Sequence, residues 1–386
     1  MNTKLLVRRV AAIIVLMTML APVFTGLPPA TITAETVKSP GVTPAQSAAL
    51  KVVFDYSHGQ FSTKLYNTTD QQLAENLTAL GYSVVWAYGG INDTILSDAV
   101  GLVLGSVYGE ANAYAQSEIQ AIADWFNQGK RFLWVGCDSD YSGAYINDNM
   151  TAILEAVGSH VYPEPTSIED PVSNCGAGYR PVANKTSDDA YVADIVEGTT
   201  KVLMHGPTLL YGSDSDTPGE NVSAVALETT TIDNVYPLLY YGGNATIVDH
   251  DILYPYAHKD GDRGEFVAAT LEVKAGEAST GVIIVSGASP YGDYQPMCSW
   301  EYHDVELDGY NLVINGITKG ISIAYDLAHP TTTTTSGTTT STTTTATGTT
   351  STTPVTTGVI SMSTIFIIGG AAVVVIVIIV VLMKKR

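Results

Sequence analysis

Short apolar runs alternate with amphipathic segments through the first half of the chain. The short runs, typical of strands buried on both faces of a sheet, cover residues 49–56, 83–86, 100–105 and 131–136. Apolar positions spaced three to four apart, typical of helices, recur over residues 69–80, 115–127 and 147–157. This alternation predicts an α/β fold in which helices cover both faces of a doubly wound, mostly parallel sheet.

The second half of the chain is rich in strand patterns. Runs of β-branched and aromatic residues cover residues 201–211, 222–228, 236–241, 246–249, 266–273 and 281–287. An apolar segment at residues 307–319 predicts a closing helix. We therefore predict one flavodoxin-like domain over residues 45–328, with a β-rich elaboration and no separately folded second domain.

The two ends of the chain have patterns of their own. Three cations and an apolar run predict a secretory signal within residues 1–34, and an uncleaved anchor is the alternative. Residues 359–383 are apolar and are followed by three cations at residues 384–386. They predict a single transmembrane helix with a short cytoplasmic tail, so the ectodomain would lie outside the cell membrane.

A Thr- and Ser-rich segment, residues 329–358, joins the predicted ectodomain to the predicted span. It has too few apolar residues to pack a core, which predicts an O-glycosylated stalk or, alternatively, a plain flexible linker. Asn-x-Ser/Thr triplets, which predict N-glycosylation in a secreted chain, begin at Asn67, Asn76, Asn92, Asn149, Asn184, Asn221 and Asn244.

The charge of the chain limits its partners. It contains 18 Lys and Arg against 38 Asp and Glu, a formal net charge of −20. Because phosphate backbones are bound by clustered cations, this balance argues against a nucleic-acid partner. A solvated acidic surface that keeps an external domain soluble explains this charge better than selection of a ligand by the acidic groups does.

Three predicted strand ends and one helix start carry a family resemblance. Phe54–Gln60 (FDYSHGQ), Trp134–Tyr141 (WVGCDSDY) and Ile284–Tyr294 (IVSGASPYGDY) resemble class I glutamine amidotransferase-like domains. Asp308–Asn311 is similar to the closing helix of that group. The chain most resembles the non-amidotransferase branch: the intraflagellar-transport GIFT domain, DUF4350 proteins and archaeal surface proteins with Thr-rich stalks. The resemblance covers residues 51–321 and implies the fold, with a head that is not an amidotransferase.

Cys137 follows a predicted central strand, where the resemblance places the nucleophile of true amidotransferases. The neighbouring Asp138 and Asp140 would raise the pKa of its thiol, whereas a nucleophile needs a lowered one. No His-x-Glu pair follows it downstream. Cys137, Asp138 and His58 are therefore weak catalytic candidates, and a small buried cysteine is the alternative interpretation of Cys137.

Polar side chains follow the predicted strands at the end where parallel α/β sheets form their ligand crevice. This placement predicts a ligand-binding set of Asp55, His58, Asp138, Ser139, Asp140, Ser286, Ser289 and Asp293. Such groups suit a carbohydrate, a peptide or a divalent cation, and no other cofactor is expected. Helix caps and turns are the alternative use of Asp and Ser at these positions.

The chain has three cysteines, and an oxidising exterior favours a disulfide between Cys175 and Cys298. Two other pairings and three free thiols remain open. The leading functional hypothesis is a surface receptor or scaffold whose head binds a ligand without catalysis. An extracellular hydrolase of glycan or peptide and a structural envelope protein are the alternatives. The expected partners are the membrane, a carbohydrate or peptide ligand and a membrane or envelope protein.

Overall fold

The computed structural model describes residues 49–60, 68–141, 146–215, 223–250 and 255–330. The predicted signal, span, cytoplasmic tail and nearly all of the stalk lie outside these residues. Within the described ranges, no helix is both long and apolar enough to cross a membrane.

An eight-stranded sheet forms the centre of the described domain. Its parallel strands are β1 (Leu50–Asp55), β2 (Tyr82–Ala87), β3 (Ala99–Leu104), β4 (Phe132–Gly136) and β15 (Gly281–Ser286). They lie in the order β2-β1-β3-β4-β15, which is the flavodoxin-like order 2-1-3-4-5. The prediction of a mixed α/β fold with a mostly parallel sheet is therefore confirmed.

Three antiparallel strands extend the sheet beyond β15. They are β14 (Val267–Ala275), β12 (Val235–Tyr240) and β8 (Lys185–Thr186), paired in that order. Because each pairs antiparallel to its neighbour, the β-rich second half continues the central sheet at this edge.

Helices cover both faces of the sheet. The helices of the described ranges are α1 (Thr69–Ala79), α2 (Asp93–Leu96), α3 (Gln116–Phe126), α4 (Ile146–Ala156), α5 (Ala193–Val196) and α6 (Gly309–Ala328), with a 3₁₀ turn at Glu110–Asn112. Alternate strand residues enter opposite cores: Trp134 packs in the cluster that contains α6, whereas Leu133 packs in the cluster that contains α3. This period of two buries each strand on both faces and explains its apolar sequence.

Short strands form smaller sheets outside the central one. β5 (Val161–Pro163), β10 (Leu210–Ser213) and β11 (Ala224–Ala226) form a three-stranded sheet. The two-stranded pairs are β6 (Ser167–Glu169) with β13 (Thr246–Val248), β7 (Val182–Ala183) with β9 (Val202–Leu203), and β16 (Glu301–Tyr302) with β17 (Val305–Glu306).

Two predicted elements differ from the structure. The predicted strand at residues 201–211 is divided into β9 and β10, because Gly206 has a left-handed φ of +56° and Pro207 lacks an N–H. The closing helix, predicted over residues 307–319, runs instead over Gly309–Ala328.

Candidate functional site

A cavity of about 750 Å³ lies beside the loops that follow β4 and β15. Its polar lining residues are Asp138, Ser139, Ser167, Glu169, Arg180, His205, His250 and Asp293, and its tyrosines are Tyr108, Tyr141, Tyr179 and Tyr294. The volume lies in the range of small-ligand pockets, and the position is the usual ligand crevice of such sheets.

Asp138 follows β4 and is fixed by its own loop. Its Oδ1 accepts a hydrogen bond of 2.7 Å from the backbone N–H of Ser139. The same N–H also donates to the carbonyl of Gly206 at 2.9 Å. Burial, and next the charge of Asp293, raise the pKa of Asp138 well above its usual value. The Asp138 carboxyl therefore keeps a proton at a pH where an exposed aspartate is ionised.

Asp293 enters the cavity from the loop after β15. Its backbone has a left-handed φ of +55°, which Asp tolerates better than most residues, and its N–H bonds the carbonyl of Gln60 at 3.0 Å. Burial raises the pKa of Asp293 to about 6. Two carboxyl groups with raised pKa values thus line one cavity.

His205 lies on the turn between β9 and β10. Burial, and next the charge of Arg180, lower its pKa to about 4, so the ring is neutral at physiological pH. Its buried Nε2 has no hydrogen-bond partner in the structure. Because buried polar atoms are rarely left unpaired, this nitrogen is available to a bound molecule.

Exposed tyrosines surround the polar groups of the cavity. Tyr108 and Tyr141 are each 64 % exposed, Tyr294 is 67 % exposed and Tyr179 is 45 % exposed. The ring of Tyr294 lies 5.0 Å from that of His205, centroid to centroid. Aromatic rings that are this accessible beside a polar pocket offer flat faces for ligand packing.

Asp55 and His58 belong to a buried network and do not line the cavity. His58 Nδ1 lies 2.6 Å from Asp55, and its Nε2 lies 3.1 Å from Glu118. Tyr114 donates a hydrogen bond of 2.5 Å to the same Asp55 carboxylate. Burial alone would lower the pKa of His58, but the hydrogen bond and charge of Asp55 raise it. Both ring nitrogens are occupied, so the ring fixes the loop after β1.

Asp140, Ser286 and Ser289 also lie outside the cavity lining and have local partners. Asp140 accepts hydrogen bonds from the Ser167 hydroxyl at 2.5 Å and from the N–H of His250 at 2.8 Å. Ser286 accepts a bond of 2.9 Å from the Trp134 indole and donates one of 2.8 Å to the carbonyl of Ala288. The Ser289 hydroxyl bonds backbone groups of residues 106 and 291. Of the predicted ligand-binding set, the structure brings together Asp138, Ser139 and Asp293.

The cysteines are free and buried. Cys298 packs in the large core cluster beside α6, whereas Cys175 packs in a separate small cluster. The predicted disulfide between Cys175 and Cys298 is therefore not formed in this structure. Burial, and next the charge of Asp138, raise the pKa of the Cys137 thiol, which is the opposite of what a thiolate nucleophile needs.

Among the described residues, no group of three or more His, Cys, Asp or Glu side chains is placed to hold a metal ion. Of the sequons in the described ranges, Asn76, Asn92, Asn184 and Asn244 are exposed, and Asn149 is half-buried. The Oδ1 of Asn149 accepts a hydrogen bond of 2.7 Å from the N–H of Tyr114. Asn67 and Asn221 lie outside the described residues.

Sequence reasoning did not select Arg180, His205, Glu169 or the tyrosines of the cavity. Arg180 and His205 lie between short strands outside the central sheet, where no local pattern marks them. Tyr108, Tyr141 and Tyr294 do follow central strands, but tyrosines are frequent throughout the chain. One available signal was the pair Tyr179–Arg180, an arginine beside an aromatic residue in a chain with few cations.

No family model and no curated protein matches this chain. Among solved structures, it is similar to the mmIFT52 N-terminal domain, at 10 % identity and a TM-score of 0.47, over 70 % of this chain and 97 % of that one. A putative ThuA-like protein from Bacteroides uniformis has 12 % identity and a TM-score of 0.36, over 75 % of this chain and 95 % of its own. A putative GMP synthase protein from Thermoplasma acidophilum has 10 % identity and a TM-score of 0.34, over 73 % of this chain and 96 % of its own.

Proposed function

We propose that this chain is a glycosylated, membrane-anchored surface protein whose α/β head binds a saccharide in the cavity beside Asp138 and Asp293, without turning it over. The observation that carries the proposal is the combination of half-buried carboxyl groups with exposed tyrosine rings in one pocket. Sugars present hydroxyl groups at their edges and C–H groups on their faces. Such ligands bind best where polar groups lie beside aromatic faces.

The absence of catalysis is supported by the groups nearest the strand ends. Cys137 is fully buried and its thiol pKa is raised. His58 has both ring nitrogens occupied by carboxylates. Neither residue offers the activated nucleophile and free base that covalent hydrolysis requires.

The anchoring part of the proposal rests on the sequence of the two ends. Removing residues 359–386 should release the protein from membranes into the medium, whereas the full-length chain should stay in the membrane fraction after a carbonate wash. Treatment with an N-glycosidase should increase the gel mobility of both forms. Release of the full-length chain by carbonate would contradict a transmembrane anchor.

Ligand binding is tested by calorimetry on the full-length chain with a panel of neutral and acidic oligosaccharides. Asp138→Asn and Tyr294→Ala should each weaken binding at least tenfold, because each alters a group that lines the cavity. Tyr325→Ala is the matched control, since Tyr325 is 59 % exposed but lies on α6 outside the cavity. Equal affinity in all four proteins, or no binding by any, would overturn the proposal.

Hydrolysis is the second candidate, and the carboxyl pair is the observation that favours it. A carboxyl that keeps its proton near neutral pH is suited to general acid catalysis, and Asp138 and Asp293 both have raised pKa values. Release of shorter sugars from the same oligosaccharides by the wild type, abolished in Asp293→Asn, would favour a hydrolase over a binding protein.

A further inference from the structure

Arg180 is a cation at the cavity that has no acidic partner among the described residues. The chain carries 18 Lys and Arg against 38 Asp and Glu, so carboxylates are abundant. In the described part of the chain, the ion pairs with carboxylates involve His58, His160, Lys185, His258 and Lys319. Arg180 is half-buried and belongs to none of them.

Neutral and aromatic groups hold the guanidinium of Arg180 instead. Its Cζ lies 4.7 Å from the ring centroid of Tyr179 and 5.4 Å from that of Tyr302. Nη2 donates a hydrogen bond of 2.7 Å to the Tyr179 hydroxyl, and Nη1 lies 2.8 Å from Nε2 of His303. These contacts orient the planar group but leave its positive charge unpaired.

Two buried nitrogen atoms of this cavity lack hydrogen-bond partners. They are Nε of Arg180 and Nε2 of His205. A buried donor that is left unpaired costs about 1–3 kcal/mol, so such atoms point to a ligand that pairs with them. Arg131 has an unpaired Nε as well, but it does not line the cavity.

Three carboxyl groups line the cavity, those of Asp138, Glu169 and Asp293, so a bound anion needs a cation among the lining residues. Burial, and next the charge of Asp293, raise the pKa of Asp138, which disfavours a negative charge on that carboxyl. The ring of His205, with its pKa lowered to about 4, is neutral at physiological pH and supplies no positive charge. The planar guanidinium of Arg180 is the group of this cavity that can donate two parallel hydrogen bonds to one carboxylate.

We infer that Arg180 binds the carboxylate of an acidic sugar, so the ligand of the cavity is a saccharide that contains hexuronate. This inference rests on the proposed function and narrows its ligand class. The sugar rings would pack on the tyrosines, while Arg180 selects the charged residue. The cavity would prefer an acidic sugar over a neutral one, because a neutral sugar leaves the guanidinium of Arg180 without an anionic partner.

The test uses the full-length chain and three trisaccharides: a hexuronate, its methyl ester and its neutral hexose counterpart. The wild type should bind the free hexuronate at least tenfold more tightly than the other two, and added salt should reduce that preference. This comparison needs no variant. If the three sugars bind equally, the inference fails and the proposed function stands; if none binds, both fail.

Variants then assign the preference to Arg180. Arg180→Gln should abolish the preference, so that the hexuronate and the neutral sugar bind this variant with about equal affinity. Arg180→Lys, which keeps the charge but loses the fork, should be intermediate. Arg131→Gln is the control, because Arg131 also lies over an aromatic ring, at 5.7 Å from that of Trp125, but outside the cavity. A preference retained in Arg180→Gln, or equal binding of an oligoglutamate, would overturn the inference.

Discussion

Asp138 and Asp293 follow two neighbouring parallel strands, β4 and β15, and line the same cavity. Ionisation of Asp293 opposes ionisation of Asp138, so the two carboxyls titrate as an interacting pair. Two neighbouring carboxylates destabilise the folded state when both are charged. Such destabilising groups are concentrated at functional sites.

Asp293→Asn should therefore stabilise the protein at pH 7. Burial raises the pKa of Asp293 from 3.8 to about 6, so the folded state resists an ionisation that the unfolded state allows. The resulting loss of stability is absent below pH 3.8, develops as pH rises towards 6 and is complete above it. At pH 7 we expect a gain of about 1–3 kcal/mol in the free energy of unfolding, and none at pH 3.5.

Urea unfolding at several pH values measures this gain. Asp304→Asn is a matched control, because Asp304 is exposed and also has a left-handed φ, of +64°. Its effect should stay within about 0.5 kcal/mol at every pH. A stabilisation by Asp293→Asn that does not change with pH would contradict the explanation.

His258 should give stability with the opposite pH dependence. Its ring nitrogens lie 2.8 Å from Glu164 and 3.0 Å from Glu228. Burial would lower its pKa, but the two carboxylates raise it from 6.5 to about 9. A raised histidine pKa adds stability that is fully present below pH 6.5 and is lost as pH rises through 9.

The variant His258→Gln should therefore lose about 3 kcal/mol relative to the wild type at pH 6, and clearly less at pH 9.5. His329→Gln is the control, since His329 is exposed and its ring contacts the Tyr325 carbonyl and the Lys130 amine rather than a carboxylate. Chemical unfolding at the two pH values gives both differences. Equal losses at pH 6 and 9.5 would show that the charge of His258 contributes nothing.

The cysteines should be unreactive until the protein unfolds. Cys137, Cys175 and Cys298 are buried, and burial raises the pKa of each thiol. Titration with Ellman's reagent, without reductant, should detect almost no thiol in native protein and all 3 in urea. Detection of a single thiol after unfolding would instead reveal a disulfide.

The sequence predicted the strands of the parallel sheet well because burial on both faces leaves a continuous apolar run. β4, for example, contains Phe132 and Trp134 facing one core and Leu133 facing the other. The turn at Gly206 was missed because residues 202–204 and 208–211 are mostly apolar on either side of it. Periodicity alone does not reveal where such a run reverses.

The composition of the site was less predictable because it depends on contacts between distant residues. Asp55 was expected at a crevice, but Tyr114, 59 residues later in the chain, bonds its carboxylate. Glu118, 60 residues after His58 in the chain, similarly contacts the second ring nitrogen of His58. Arg180 comes to the cavity from a loop between short strands, whose position no local pattern determines. Strand-end reasoning therefore found Asp138 and Asp293 but not their partners.

Gly316→Ala should destabilise the protein even though alanine favours helices. Gly316 lies on α6, where a Cβ atom would come within 2.7 Å of the Trp134 ring and 3.0 Å of Ile284. Both neighbours are fully buried, so they have little room to move. The overpacking should cost about 1–3 kcal/mol, which exceeds the roughly 1 kcal/mol gained from helix propensity. Ser322→Ala, on an exposed position of the same helix, should be neutral or slightly stabilising. Thermal unfolding of both variants provides the comparison, and a higher midpoint for Gly316→Ala would show that α6 does not pack closely on β4.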